Sequence, residues 1–222
     1  MYLSKLIFNV NNYRVRRDLN DVVQMHKTIL SAFPHVPEKQ KRSIQGGIRA
    51  HFGVLYRVNV HKNHSYSAII QSRVKPNFAS VDNGYCVGTP QVKTIDFIFS
   101  AIVKGGQFRF KLFANPTMRI HEEGRKNNPK VPLKKKDSQM EWLHSKGEHH
   151  GFSVENALIT REMELYGYKK RPNQKRSRRL TFYGVGFEGI LTVNDAESFK
   201  ETIRQGIGSG KAFGFGLLSL RR

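Results

Sequence analysis

Cysteine is almost missing from this chain of 222 residues, which contains Cys86 and no other. A single cysteine excludes an internal disulfide and a zinc site of the Cys-x-x-Cys type. Long apolar runs are missing too, since no stretch approaches the roughly 18 consecutive apolar residues of a membrane-spanning helix. The first residues do not resemble a signal peptide. The sequence therefore favours a globular protein with no membrane partner, and we expect it in the cytoplasm.

Acidic residues are scarce: 17 Asp and Glu stand against 38 Lys and Arg, for a formal net charge of +21. Such an excess predicts a polyanionic partner. An anionic membrane surface would require an amphipathic helix with a basic face, and no such segment stands out. The cations are concentrated in loop-like segments instead, with seven in residues 168–179 and six in residues 125–136. Nucleic acid is the favoured partner, and these two segments are candidates for phosphate contact.

Apolar periodicity predicts the elements of the first half. A helix over 21–33 places Val22, Met25 and Ile29 along one face, with Asn20 or Asp21 as its cap. Alternating or apolar segments predict strands at 2–8, 54–60 and 66–74. The order is strand, helix, strand, strand.

The second half repeats and completes this order. Its predicted elements are a strand at 107–114, a helix at 138–144, strands at 157–168 and 179–193, a helix at 195–205 and a strand at 214–220. The sequence therefore predicts an α+β fold of two tandem ferredoxin-like (RRM-like) βαββαβ domains, the N-terminal one degenerate. The expected domains are residues 1–88 and 96–222, joined near residues 86–96. No residue-level repeat links the halves, so the duplication rests on element order.

The C-terminal segment, residues 206–220, carries five glycines and Lys211 and suggests a phosphate site, because glycine lets backbone N–H groups approach an anion closely. It is not a P-loop, since Gln205 and Ala212 stand where that motif needs Gly and Ser or Thr. A second glycine pattern, Gly184–Gly189, fits GxGxxG. It precedes a strand-like segment where a dinucleotide site needs a helix, so we expect a turn or bulge there.

His26 is the strongest candidate for chemistry. It lies at the edge of the apolar stripe of the first predicted helix and is followed by Lys27. An imidazole titrates near neutral pH, so it can take a proton from a ribose 2′-hydroxyl or give one to a leaving 5′-oxygen without a metal. Lys27, and Lys211 as a further candidate, could stabilise the charge of the transition state. The alternative is a histidine that is simply solvated at a helix edge.

Six short segments share their pattern with known proteins: Tyr2–Leu6, Arg16–Leu19, Met25–Thr28, Phe113–Pro116, Phe187–Val193 and Gly206–Leu220. Together they resemble the CasE (Cse3) family, CRISPR repeat-processing endoribonucleases of type I-E systems and members of the RAMP superfamily. The resemblance covers the whole chain in order. Its most specific parts are Met25-His26 and the terminal glycine-rich block.

This resemblance implies two ferredoxin-like domains and metal-independent cleavage, with no cofactor, of precursor CRISPR RNA at the base of the repeat hairpin. The 2′-hydroxyl upstream of the cut would attack the phosphate and leave a 2′,3′-cyclic phosphate and a 5′-hydroxyl. The protein would then stay on the hairpin of the mature CRISPR RNA as a subunit of the Cascade complex, with the other Cascade subunits as partners.

Position by position, the resemblance implies that His26 and Lys27 are catalytic, with Lys27 in place of the usual arginine. Val23 stands where some members carry a tyrosine. The expected RNA-binding residues are the cations of a basic hairpin, residues 169–179, and residues of a glycine-rich loop, residues 206–216. They are Lys169, Lys170, Arg171, Lys175, Arg176, Arg178, Arg179, Gly206, Gly208, Gly210, Lys211, Gly214 and Gly216.

Two other functions stay open on the sequence. The first is a non-catalytic hairpin RNA-binding subunit of the same fold, in which the glycine-rich loop contacts RNA backbone and His26 has no chemical role. The second is a basic protein that associates with ribosomal RNA. Cleavage in the presence of a chelator separates an enzyme from the first alternative, and preference for one hairpin argues against the second.

Overall fold

The computed structural model describes residues 1–120, 128–170 and 177–221. The first half forms a four-stranded antiparallel sheet of order β2-β3-β1-β4. Its elements are β1 (Tyr2–Ile7), α1 (Tyr13–Asn20), α2 (Val22–Leu30), α3 (Glu38–Lys41), α4 (Gly47–His51), β2 (Leu55–Val60), β3 (Tyr66–Ser72), a 3₁₀ turn (Phe78–Ser80) and β4 (Gln91–Thr94).

The second half forms another four-stranded antiparallel sheet, of order β10-β5-β9-β8. Its elements are α5 (Asp96–Ser100), β5 (Gln107–Ala114), β6 (Thr117–Arg119), β7 (Lys130–Pro132), α6 (Lys136–His149), β8 (Phe152–Lys169), β9 (Arg178–Val193), α7 (Ala196–Gln205), a 3₁₀ turn (Lys211–Phe213) and β10 (Leu218–Arg221). The short strands β6 and β7 pair with each other outside this sheet.

Both sheets have the same topology. If strands are numbered within each half and the small β6–β7 pair is set aside, each sheet has the order 4-1-3-2 of a ferredoxin-like fold. The predicted fold class is confirmed. The first half is degenerate as expected, because a 3₁₀ turn at Phe78–Ser80 stands where the second half has α7.

Several boundaries differ from the predictions. Gln91–Thr94, expected within the connection between the halves, pairs with β1 and closes the first sheet. The helix predicted at 138–144 extends over Lys136–His149, and the last strand begins at Leu218 because residues 214–217 pack as part of the glycine-rich loop. The domain limits 1–88 and 96–222 stay a prediction.

The hydrophobic core of the second half is formed by residues that recur with the period of a strand on β5 and of a helix on α7. On β5, Phe108, Phe110 and Leu112 are buried, whereas the alternate residues Arg109 and Lys111 are exposed. On α7, Phe199 and Ile203 are one helical turn apart and are both buried in the same cluster. Full burial of each such side chain contributes about 1.5–3 kcal/mol.

Buried polar side chains of the first half donate hydrogen bonds to backbone carbonyls of the second. The guanidinium of Arg57, which is 4% exposed, donates from Nη1 to the carbonyls of Lys111 at 3.1 Å and Leu217 at 3.3 Å. The Nε2 of Gln71 donates to the carbonyl of Ile203 at 2.7 Å. Burial and the charge of Arg161 lower the pKa of Arg57 to about 10. These bonds hold the two halves in one arrangement along their shared seam.

No helix in the described ranges is long and apolar enough to cross a membrane.

Candidate active site and RNA interface

The candidate catalytic histidine is presented by α2, which begins at a side-chain cap. Asp21 Oδ1 accepts the backbone N–H of Val23 at 2.9 Å, as the sequence predicted for this helix start. The same oxygen accepts the backbone N–H of Tyr168, at the end of β8, at 3.2 Å. Along the helix Met25 and Ile29 are buried in the first core. His26, next to Met25, is therefore half-buried at the edge of this face, and Lys27 is exposed.

A glycine lets α2 approach β8 closely. A Cβ atom on Gly167 would lie 2.8 Å from Cγ2 of Val23 and 2.9 Å from Cγ2 of Val22, which is closer than real Cβ contacts allow. Val23 is thus packed against the backbone of β8.

Helix α2, the basic hairpin and the glycine-rich loop enclose one cleft of about 610 Å³, which we call the His26 cleft. It is lined by Val23, Gln24, His26, Lys27, Tyr168, Lys169, Lys170, Ser177, Ala212 and Phe213. The His26 and Phe213 rings are in edge-on contact, with centroids 6.0 Å apart. The structure thus brings together His26, Lys27 and two hairpin lysines that the sequence placed in separate segments, and it adds Tyr168 and Phe213.

The surroundings of His26 favour its neutral form. Burial, and then the positive charge of Arg49, lower the pKa of His26 from 6.5 to about 4. Its Nδ1 is buried and has no hydrogen-bond partner among the described residues. At neutral pH the ring therefore carries one proton and has one nitrogen lone pair free to accept another. A neutral imidazole beside cations is suited to act as a base towards a hydroxyl group.

This depressed pKa predicts a pH-dependent loss of stability. Between pH 6.5 and pH 4 the unfolded chain binds a proton at His26 that the folded chain does not, so the stabilisation present above pH 6.5 is lost as the pH falls. The loss should amount to about 3 kcal/mol at pH 4. Urea unfolding of wild type and His26→Gln at pH 7 and pH 4 measures it, because losses from other groups are common to both proteins. Equal losses in the two proteins would mean that His26 is solvated.

The glycine-rich loop is shaped mainly by contacts within the protein. Gly206 and Gly216 are buried, and their backbone N–H groups donate to the carbonyls of Thr202 and Phe113, both at 2.8 Å. A Cβ on Gly216, at φ +85°, would lie 2.6 Å from the carbonyl oxygen of Ile207. The amides of these two glycines are therefore occupied. The RNA contacts predicted for Gly206, Gly208, Gly210, Gly214 and Gly216 stay predictions, and the residues nearest the cleft are Ala212 and Phe213.

A buried tyrosine fixes this loop beside His26. The hydroxyl of Tyr56 donates to the carbonyl of Ala212 at 3.1 Å, and burial raises the pKa of Tyr56 so that it keeps its proton. Lys211, the residue before Ala212, lines a neighbouring pocket and is not among the residues that line the His26 cleft. The bond from Tyr56 thus directs Ala212 and Phe213 into the cleft.

The basic hairpin is described at its base. Lys169 pairs with Arg178, and Tyr168 with Arg179, across the last rungs of the β8–β9 ladder. Lys169, Lys170, Arg178 and Arg179 are exposed, and the guanidinium of Arg179 lies 5.2 Å from the centre of the Tyr166 ring. Arg171, Lys175 and Arg176 lie outside the described residues, as do Arg125 and Lys126 of the other basic segment.

The GxGxxG pattern of the sequence forms part of a strand and does not begin a helix. The Gly184–Gly189 pattern lies inside β9, and one of the two pairing irregularities of the facing strand β8, at Ile159/Arg161, lies opposite Phe187 and Gly186 of the pattern. Within the described residues, no group of three or more His, Cys, Asp or Glu side chains is placed to hold a metal ion.

Comparison with known proteins finds similar chains over the full length of this one. A family model described as "CRISPR associated protein" matches residues 1–222. The chain is 29% identical over 226 residues to the CRISPR-associated endoribonuclease Cse3 of Thermus thermophilus, covering 99% of both chains. It is also 29% identical over 227 residues to the CRISPR system Cascade subunit CasE of Escherichia coli, covering 99% of this chain and 98% of CasE.

A solved structure of the CRISPR endoribonuclease Cse3 bound to a 19-nucleotide RNA superposes over 100% of both chains with a TM-score of 0.80 and 28% identity. The full-length family match, the two relatives and this structural similarity agree with the resemblance found in the sequence. The chain therefore belongs to the CasE (Cse3) family of CRISPR-associated proteins.

Proposed function

We propose that this protein is an endoribonuclease that cleaves precursor CRISPR RNA at the base of the repeat hairpin and then stays bound to the mature CRISPR RNA as a Cascade subunit. The observation that carries the proposal is the His26 cleft, where a neutral imidazole lies beside Lys27, Lys169 and Lys170. Its relatives' names support it, since one is called an endoribonuclease and the other a Cascade subunit. The cytoplasmic location stays a prediction.

The proposed reaction is an intramolecular transfer at phosphorus. His26 accepts the proton of the 2′-hydroxyl upstream of the cut, and the 2′-oxygen forms a bond to the phosphorus. The bond from phosphorus to the 5′-oxygen breaks, and that oxygen takes up a proton, which the newly formed imidazolium can supply. Lys27, exposed on the same helix, offsets the negative charge of the transition state. The products are a 2′,3′-cyclic phosphate and a 5′-hydroxyl, so no water is consumed.

The basic hairpin suits a paired RNA stem as substrate. An A-form stem has a deep, narrow major groove that side chains cannot read, so affinity comes from phosphate contacts and shape. Exposed cations at the base of a two-stranded projection, Lys169, Lys170, Arg178 and Arg179, provide such contacts beside the cleft. Binding of the stem there would place the nucleotides at the stem's base next to His26.

The proposal is tested with the 5′-labelled repeat hairpin of the host's own CRISPR array, incubated with wild-type protein in EDTA. We expect one cut at the base of the hairpin, a cyclic phosphate on the upstream product, and no cut when a 2′-deoxy nucleotide precedes the scissile phosphate. Tight binding with no cut of the all-ribose RNA would favour the non-catalytic hairpin-binding subunit. A cut that persists on the 2′-deoxy RNA would mean that water, not the 2′-hydroxyl, is the nucleophile.

A further inference from the structure

A second pocket lies on the other side of the glycine-rich loop from the His26 cleft. It has a volume of about 750 Å³ and is built from α4 and the segment before it, the residue that follows β3, the end of α7 and the 3₁₀ turn at Lys211. Four cations line it: Arg49, Arg73, Arg204 and Lys211. We call it the basic pocket.

The charge of the basic pocket is not balanced by its own lining. None of the described residues that line it is an Asp or a Glu. Arg204 forms an ion pair with Glu201, which lies one turn earlier on α7 and outside the pocket lining, at 3.3 Å. Burial and the charge of Arg73 lower the pKa of Arg49, and burial followed by the charge of Arg49 lowers the pKa of Lys211. Arg49 and Lys211 are half-buried and repel each other, the exposed Arg73 also repels Arg49, and a bound anion would offset this repulsion.

The three arginines of the basic pocket are each held in place by a contact with another part of the protein. Nη1 of Arg49 donates to the carbonyl of Val54 at 3.0 Å, and Nη2 of Arg73 donates to the carbonyl of Ala50 at 3.1 Å. The guanidinium of Arg204 lies over the Phe99 ring, 4.9 Å from its centre. A guanidinium has five N–H donors, so each arginine keeps donors for a ligand after these contacts. The pocket is thus preorganised for an anion with several acceptor oxygens.

The basic pocket and the His26 cleft share one wall. In the 3₁₀ turn, Lys211 lines the pocket, whereas Ala212 and Phe213 line the cleft. Arg49 lowers the pKa of both His26 and Lys211, which places its charge within reach of both sites. None of the described residues of the basic hairpin lines the pocket, so the hairpin cations and the pocket cations belong to different elements.

We propose that the basic pocket binds a backbone phosphate of the RNA strand that leaves the paired stem and runs past His26. This inference rests on the proposed function, because the strand is the one whose scissile phosphate lies at His26. An RNA strand is favoured over an acidic protein segment because the pocket and the cleft adjoin the same 3₁₀ turn, at Lys211 and at Ala212 and Phe213. A phosphate held there would fix the strand on the side of the scissile bond opposite the stem.

The test is the salt dependence of RNA binding by an Arg73→Gln/Arg204→Gln variant. Three RNAs are compared: the hairpin ending at the cut, and hairpins extended on the 5′ or the 3′ side with a 2′-deoxy nucleotide that blocks cleavage. Each single-strand phosphate contact contributes about 0.7 to the slope of log K against log salt concentration. We expect the variant to lower that slope by about 0.7 to 1.4 on the RNA extended past the scissile phosphate, and to leave the bare hairpin and the other extended RNA unchanged.

Two further variants control for charge and folding. Arg14→Gln/Lys200→Gln removes two cations that also pair with carboxylates, Lys200 on the same helix as Arg204, but that lie outside the pocket lining. This variant should keep the wild-type slope on all three RNAs. Arg73→Lys/Arg204→Lys keeps both charges and should keep most of the slope, which a variant that simply misfolds would not.

Several results would overturn the inference. An equal change of slope on the bare hairpin would assign these arginines to the stem, and no change on any RNA would leave the pocket without an RNA contact. Unchanged slopes together with loss of co-purification of the other Cascade subunits would assign the pocket to a protein partner. The proposed function fails separately, if wild-type protein binds the extended all-ribose RNA through these arginines but does not cut it.

Discussion

Replacing His26 by alanine should slow cleavage of the repeat hairpin by roughly 10²- to 10⁴-fold, the range in which a positioned general base contributes. The structure gives the reason, since His26 is the imidazole that lines the cleft and its lowered pKa keeps it in the proton-accepting form. Hairpin affinity should stay near the wild-type value, because the cations proposed to bind the stem lie on the basic hairpin. Single-turnover cleavage and filter binding of the 2′-deoxy RNA measure the two effects separately.

A matched control for this variant is His144→Ala. His144 is exposed on α6 and does not line the cleft, so its removal should leave both cleavage and binding unchanged. Loss of affinity in His26→Ala as large as the loss of rate would indicate a structural role for His26. Cleavage at the wild-type rate would place the base elsewhere and remove the central support for the proposed mechanism.

The second large effect is expected from the basic hairpin. Replacing Lys169, Lys170, Arg178 and Arg179 together by glutamine removes four exposed charges. Each phosphate contact on a B-form duplex contributes about 0.9 to the slope of log K against log salt concentration, so the slope should fall by about 3 to 4 if all four contact the stem. Affinity should fall strongly at low salt and much less at high salt. Binding of the 2′-deoxy hairpin measured over a range of salt concentrations checks this.

The control for the hairpin variant removes the same number of charges elsewhere. Lys5, Lys62, Lys93 and Lys104 are exposed and lie outside the His26 cleft and the basic pocket. Replacing these four by glutamine should change the slope far less, because long-range attraction between exposed charges is screened within about 10 Å at 0.1 M salt. If both variants change the slope equally, net charge alone determines affinity and the hairpin has no special role.

Residues whose roles depend on local pattern could be predicted from the sequence. The helix that carries His26 was recognised from Asp21 and the spacing of Met25 and Ile29, and both properties act within a few residues. The strand β5 was recognised in the same way, from alternating residues that reach one core. The order of such elements was sufficient for the fold class, because two copies of βαββαβ have few ways to form sheets.

Residues whose roles depend on packing between distant elements could not be predicted. Arg49, Arg73 and Arg204 are isolated arginines in the sequence, and they meet Lys211 only after the two halves are assembled. The strand β4 was missed because its residues are mostly exposed at a sheet edge and show no clear alternation. The helix α1 was not predicted, although the sequence marks its start: the side chain of Asn12 accepts the backbone N–H of Arg14 as an N-terminal cap.

The shared acceptor at Asp21 has a consequence for what happens after the cut. One carboxylate oxygen bonds the start of α2 and the end of β8, and Gly167 lets these two elements touch. Helix α2, which carries the candidate catalytic His26, is therefore fixed to the base of the basic hairpin, whose cations are proposed to bind the stem. Under the proposed function, this contact would keep the newly made RNA end beside His26. After cleavage the bound RNA would then block the His26 cleft to further substrate, and each protein molecule would cover the end of the RNA that it has made.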